Sequence, residues 1–268
     1  RQSVRDSQHP GPDGLQERPK GRHRRWSRSQ GNAFRHHLEV SLSPPLSDRS
    51  DRLYPTLGLI DYGMGNLHSV NQSMKRLGQQ PRPVRNREDL IGVDALILPG
   101  VGAFDPAMAN LTATGLVPHL QDWVSDDRPL LGICLGLQLL FEGSDEGSSA
   151  GLGVLPGHVR RLPADAGERI PHMGWAPLKI EKECPLLRVE DGDAWVYFVH
   201  SFAAVPSEPS VLAATAAFGS SAVTAMVWSR RIGACQFHPE KSATAGEEML
   251  KRWLAWVRNY ELSSPCDH

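Results

Sequence analysis

Two short stretches hold residue types that do chemistry in combination: GICLG at 132–136 and CQFHPEKS at 235–242. The first places a thiol between two glycines, directly after the apolar run PLLGI (129–133). It is the thiol counterpart of G-x-S-x-G, the strand-to-helix elbow that exposes a nucleophile at the top of a sheet. The turn is sharp, so the positions two before and two after need next to no side chain, which Gly132 and Gly136 provide. Cys134 would then head a helix, where unpaired N–H groups and the helix dipole favour thiolate over thiol. The Leu135 N–H enters the same space as a donor to an oxyanion, and the backbone of PGVGAF (99–104), at Val101 or Gly102, can supply a second donor. The competing reading is a buried structural cysteine, since a free Cys packs as a small hydrophobe.

A thiolate needs a base. His238 and Glu240 are two apart, which in an extended chain points both the same way, and Pro239 stiffens the backbone between them. Glu240 can then hold one imidazole nitrogen while the other faces a thiol, the logic of nucleophile, base and orienter. Rival bases are His200 in YFVHS and His172 in PHMGW; neither has a carboxylate two residues on. Cys235 and His238 also have Cys-x-x-His spacing, but a zinc site joined by Cys134 would lack a fourth ligand. No metal and no cofactor is expected.

The elements that must hold these groups read as an α/β protein. LGLID (57–61), DALILP (94–99) and PLLGI are apolar strand candidates, each running into a glycine-containing turn. After YGMGN (62–66), Asn66 is a candidate N-cap, and Leu67, Val70, Met74 and Leu77 recur at helical spacing before Gly78. A dinucleotide-type G-x-G-x-x-G is not completed there, because His68 stands at the third glycine position. LGLQLLFEG (135–143) reads as a helix, and 152–235 is richer in strands: GHVRRL, AWVYFVHSF, VLAATAAF, AVTAMVW and IGACQF. Met249, Leu250, Trp253, Trp256 and Val257 predict an amphipathic closing helix over 245–260. Strands alternating with helices imply a mostly parallel central sheet with helices on both faces, here with an antiparallel extension. In such sheets ligands gather beyond the carboxyl ends of the strands, which is where the three turns meet.

Composition excludes several classes. Residues 1–50 hold ten Lys/Arg against five Asp/Glu, or +5, and the remainder 19 against 25, or −6, so the body is too acidic to suggest nucleic-acid binding. No apolar run approaches a membrane span, and four widely spaced cysteines imply no disulfide framework but a reducing, cytoplasmic setting. Residues 1–55 are expected to be a disordered basic extension, with 56–262 as one domain. For the extension a translated upstream region is favoured; a transit peptide, and with it a plastid location, is opposed by its five acidic residues, and a basic arm for nucleic acid or membrane is the third reading.

GICLGLQ, with HPE about a hundred residues on, resembles the class I glutamine amidotransferases, which use a Cys-His-Glu triad. IDYGMGNLHSV (60–70), LPGVGAF (98–104), LFEGSDEG (140–147), PHMGW (171–175), YFVHS (197–201) and QFHPEKS (236–242) narrow the likeness to the branch that serves imidazole glycerol phosphate synthase in histidine biosynthesis. The resemblance implies a flavodoxin-like fold and hydrolysis of L-glutamine to glutamate and ammonia. In it Cys134 is the nucleophile, His238 the base and Glu240 the orienter, with oxyanion donors at Leu135, Val101 and Gly102. Gln138, Glu146 and Ser201 would hold the substrate, and a (β/α)8-barrel cyclase subunit would receive the ammonia as heterodimer partner. The chain departs from the family's usual pattern at Ala176, where Asn is usual, and at Phe202, where an aromatic hydroxyl is usual. A glutaminase serving another synthase, such as one making pyridoxal phosphate, and an idle flavodoxin-like binding subunit are the alternatives.

Overall fold

A computed structural model describes residues 55–163 and 167–263. The extension expected over 1–55 lies, but for its last residue, outside them. Five parallel strands form one half of a nine-stranded sheet. They are β1 (Leu57–Ile60), β2 (Arg82–Val84), β3 (Ala95–Leu98), β4 (Leu130–Ile133) and, from the far end of the chain, β11 (Ile232–Cys235). The other half is antiparallel and contains β6 (His172–Ile180), β7 (Trp195–His200), β9 (Leu212–Phe218) and β10 (Ser221–Ser229). The order is β2-β1-β3-β4-β11-β10-β9-β6-β7, and β5 (Gly157–Arg161) pairs with β8 (Phe202–Pro206) in a separate ribbon.

The short parallel strands are buried at every position of β1, β3, β4 and β11 because both faces are covered. Alternate residues go to opposite sides. Leu57, Leu59, Ala95, Ile97, Leu131 and Ile133 meet α1 (Leu67–Arg76) and α5 (Ala243–Ser263) through Val70, Met74, Leu250 and Trp253. Ile60, Leu96, Leu98 and Leu130 meet α2 (Phe104–Ala113) and α3 (Val117–Ser125) through Phe104, Leu111, Leu120 and Trp123. Asn66 caps α1 by accepting from the Ser69 N–H at 3.2 Å, and Gly78 follows the helix with φ +77°. No helix among the described residues is long and apolar enough to cross a membrane.

Three elements differ from the sequence expectation. The helix after Cys134, α4 (Leu135–Leu139), has only five residues. It stops because the carbonyls of Leu139, Leu140 and Phe141 accept from residues 152–155 of the returning chain, not from a further helical turn. AWVYFVHSF is two strands, β7 and β8, separated at Ser201 and paired in different sheets. Finally, β6 joins the sheet through Leu178–Ile180, which pair with β9, and its first part, PHMGW, a stretch without an apolar run, carries the edge strand β7 from His172↔His200 to Pro177↔Trp195.

Candidate active site

The elbow forms where β4 turns into α4. Cys134 sits at φ 54°, ψ −111°, a region that residues with a Cβ seldom occupy and that is found where backbone strain is held at functional sites. Its neighbours make this possible. A Cβ on Gly136 would collide with the Leu98 carbonyl of β3, and one on Gly132 would press on Ala234 of β11 at 3.1 Å. The Cys134 N–H donates to the Cys235 carbonyl at 2.8 Å, so β4 and β11, the strand leading to His238, are bonded right up to the thiol.

Beyond β11 the chain leaves β4, and His238 donates its backbone N–H to Tyr197 at 3.0 Å. His238 is extended, but Pro239–Lys241 is a 3-10 turn and not a continuing strand. That turn, with the Ser242 hydroxyl donating to the His238 carbonyl at 2.6 Å, carries Glu240 back under the imidazole. His238 Nδ1 and Glu240 Oε1 lie 2.8 Å apart with both side chains buried. Nε2 is buried and makes no hydrogen bond of its own. It belongs to the side of the ring left for Cys134, with which the imidazole interacts.

The electrostatics follow from that placement. Burial opposes a proton on His238, yet Cys134 and Glu240 outweigh it and lift the pKa from 6.5 to about 9. The folded chain thus holds this proton more tightly than the unfolded one. The stabilisation is complete below pH 6.5 and is lost as the pH rises through about 9. An NMR titration of the His238 ring should show a midpoint near 9, falling clearly in Cys134→Ala; a wild-type midpoint near the ordinary histidine value would contradict this ion pairing.

The rival histidines are differently placed. His200 is driven down to about 4 by burial, even though its Nδ1 faces the Phe202 carbonyl at 2.9 Å. Its low pKa keeps it neutral beside His238. His172 stacks on Phe198 with ring centroids 4.7 Å apart, and burial lowers its pKa. Among the described residues no group of three or more His, Cys, Asp or Glu is arranged to hold a metal ion. Cys235 instead turns its thiol to the Gly132 carbonyl at 3.7 Å.

The oxyanion hole expected at Leu135, Val101 and Gly102 is not assembled in this conformation. The Leu135 N–H already donates to the Gly100 carbonyl at 3.3 Å. A trans peptide is planar, so a carbonyl aimed at Leu135 sends the Val101 N–H the opposite way. Gly100 has no room for a side chain: a Cβ there would lie 2.6 Å from the Tyr62 hydroxyl and 2.8 Å from the Leu135 Cβ. Gly102, at φ +103°, completes the turn.

The expected substrate residues surround the same turn and elbow. Glu146 Oε2 accepts the Phe104 N–H at 2.9 Å, at the first turn of α2. Gln138, one turn into α4, donates through Nε2 to the Phe202 carbonyl at 2.9 Å and to Gln236 Oε1 at 3.1 Å, which leaves its own oxygen as the acceptor. Ser201 lies at the break between β7 and β8. Of the two departures, Ala176 is buried in the core, and Phe202 contributes its backbone carbonyl as the anchor for Gln138. Gln236, fully buried and with Nε2 3.8 Å from Cys134 Sγ, went unremarked in the sequence. Its signal in the sequence is spacing: it stands two residues before His238, as Glu240 stands two after.

Residues 58–256 match the family model "Glutamine amidotransferase class-I". The chain belongs to the class I glutamine amidotransferases. Its relatives in this family include the imidazole glycerol phosphate synthase subunit HisH of Synechococcus sp. strain CC9902, 70% identical over 201 residues, spanning 75% of this chain and 94% of the relative. HisH of Synechococcus sp. strain CC9605 is 67% identical over 210 residues, 78% of this chain and 98% of the relative. The fold is shared with a solved glutamine amidotransferase, at TM-score 0.60 and 23% identity, covering 76% of this chain and 99% of that one. PurLQS from Thermotoga maritima aligns at TM-score 0.61 and 17% identity, covering 76% and 100%. As a class I amidotransferase the chain is an enzyme, and both of these HisH relatives are bacterial.

Proposed function

We propose that this chain is the glutaminase subunit of an imidazole glycerol phosphate synthase, acting in histidine biosynthesis and passing ammonia to a (β/α)8-barrel cyclase subunit in a heterodimer. The observation that carries this reading is the buried His238–Glu240 pair set against a strained elbow cysteine in a chain of 70% identity to a HisH subunit. Cys134 Sγ attacks the side-chain amide carbon of L-glutamine. His238 gives the thiol proton to the departing nitrogen, ammonia leaves, and a thioester remains. A water molecule that loses its proton to His238 then adds to the thioester; the C–S bond breaks, the sulfur regains its proton and glutamate departs. Glu240 keeps the imidazole oriented and balances its charge. Gln138, through its free oxygen, and Glu146 suit the α-ammonium of the substrate, and Ser201, next in the chain to the Phe202 that anchors Gln138, offers a hydroxyl for its carboxylate. The setting is the cytoplasm, in keeping with the free thiols of Cys134, Cys184 and Cys235.

The tetrahedral oxyanion needs the Leu135 N–H, which the Gly100 carbonyl occupies. Activity therefore waits for the Gly100–Val101 peptide to turn over. Loss of one such donor slows comparable enzymes by about 10²–10³-fold, so the free chain should idle by about that factor. A partner has exposed apolar groups to meet, since Met173 and Trp175 of β6 are both exposed, and Trp175 lines with Glu240 and Lys241 a cavity of about 250 Å³. Glutamate release should rise by about 10²–10³-fold when the cyclase subunit and its nucleotide ligand are added. Release indifferent to the partner would assign the chain to another synthase, and no release under any condition would leave Cys134 a structural thiol.

A further inference from the structure

The Phe202 carbonyl can only accept, and it faces both His200 Nδ1 and the side-chain amide of Gln138, each at 2.9 Å. The Gln138 atom facing it must therefore be Nε2, which also donates to Gln236 at 3.1 Å. The Gln236 atom receiving that bond is consequently Oε1, and Nε2 is the atom turned to Cys134 Sγ at 3.8 Å. A run of three hydrogen bonds thus starts at a backbone group that cannot be reversed and ends as an N–H directed at the sulfur. Gln236 is fully buried, its backbone N–H is tied to the Ala225 carbonyl at 2.8 Å, and its side-chain oxygen is held by Gln138.

We propose that Gln236 is the donor that positions the Cys134 sulfur and holds its charge as thiolate, and that it links the substrate-holding Gln138 to the nucleophile. The inference deepens the glutaminase reading and rests on it for its catalytic meaning. The need arises locally. The helix headed by Cys134 has only five residues, so its dipole is short, and the Leu135 N–H is turned to Gly100. A hydrogen bond to the charged form favours that form, and it does so most strongly in a buried site. The titratable groups around the sulfur are few. His238 faces it with Glu240 behind; Tyr62 and Cys235 interact with it, both pushed up by burial and so neutral; His200, also neutral, stands beside His238.

The experiment is the pH profile of Cys134 alkylation by iodoacetamide, read by peptide mass spectrometry on the full chain, for wild type, Gln236→Met and Gln236→Glu. Met keeps the length and apolar volume but has no donor; Glu keeps the acceptor for Gln138 and replaces the donor with an oxygen. The midpoint should rise by about one pH unit in Gln236→Met, equivalent to about tenfold less thiolate at a given pH, and further in Gln236→Glu. Glutamate release in the presence of the partner should fall about tenfold in Gln236→Met at neutral pH. A merely structural role would lower stability without moving the alkylation midpoint, so an unmoved midpoint in both variants overturns the proposal. If the midpoints move as expected but the wild type releases no glutamate, the contact stands and the glutaminase reading is what fails.

Discussion

Replacing Cys134 with alanine is expected to remove glutamate release by a factor of about 10⁴–10⁶ while leaving the protein folded. Nothing else at the site can form the covalent intermediate: among the groups described there, Cys235 turns its thiol to the Gly132 carbonyl and sits within a sheet strand. The fold should survive because alanine also carries a Cβ and so occupies φ 54°, ψ −111° with the same strain as cysteine. Glycine would not carry that strain. Cys134→Gly should therefore be equally inactive yet more stable than Cys134→Ala, by about 1–3 kcal/mol. Partner-activated glutamate release and urea unfolding of the two variants test both halves. Substantial activity in Cys134→Ala would remove Cys134 from the chemistry, and equal stability would show the elbow to be unstrained.

Gly136→Ala should have the largest effect on stability. The added Cβ would run into the Leu98 carbonyl, which belongs to β3 at the centre of the parallel half of the sheet. Both atoms are anchored in backbone, so neither can move aside as a side chain would. The loss should exceed about 4 kcal/mol, the range reached only by severe packing faults. A typical domain has about 5–15 kcal/mol in all, so the variant should accumulate poorly or unfold at low denaturant. A loss under about 1 kcal/mol would mean that β3 and α4 can spread. By contrast the Cβ of Gly132→Ala would come no nearer than 3.1 Å to any atom, against the outright collision at Gly136, and should be tolerated far better.

What the sequence disclosed of this site was whatever had a steric or periodic cause. The elbow glycines, the Asn66 cap and the apolar strands are legible because each answers a local requirement of space, hydrogen bonding or burial. The pairing of His238 with Glu240 was expected from extended backbone, but it arises from a 3-10 turn anchored by Ser242. Ser201 divides one apolar run into two strands because Phe202 onward pairs with β5, a partner more than forty residues earlier in the chain. The orientation of the Gly100–Val101 peptide had no signal at all, since a peptide turned over has the same side chains on either side. β6 is a strand because β7 and β9 flank it, and its own residues carry no alternation strong enough to reveal it.

The bond from the Cys134 N–H to the Cys235 carbonyl bears on how firmly the elbow is held. Cys134 and the strand that leads to His238 share one ladder, so separating them means opening the centre of a nine-stranded sheet. Such openings have free energies close to that of global unfolding. The Cys134 amide should accordingly be among the slowest to exchange with deuterium, with or without a partner. The Leu135 amide, one residue later, is held only by Gly100 outside the ladder and is free to change partners on a far shorter timescale. Adjacent peptide units at the elbow thus differ widely in persistence, so that under the proposed reading the Leu135 amide could change partners many times within the life of a single folded molecule.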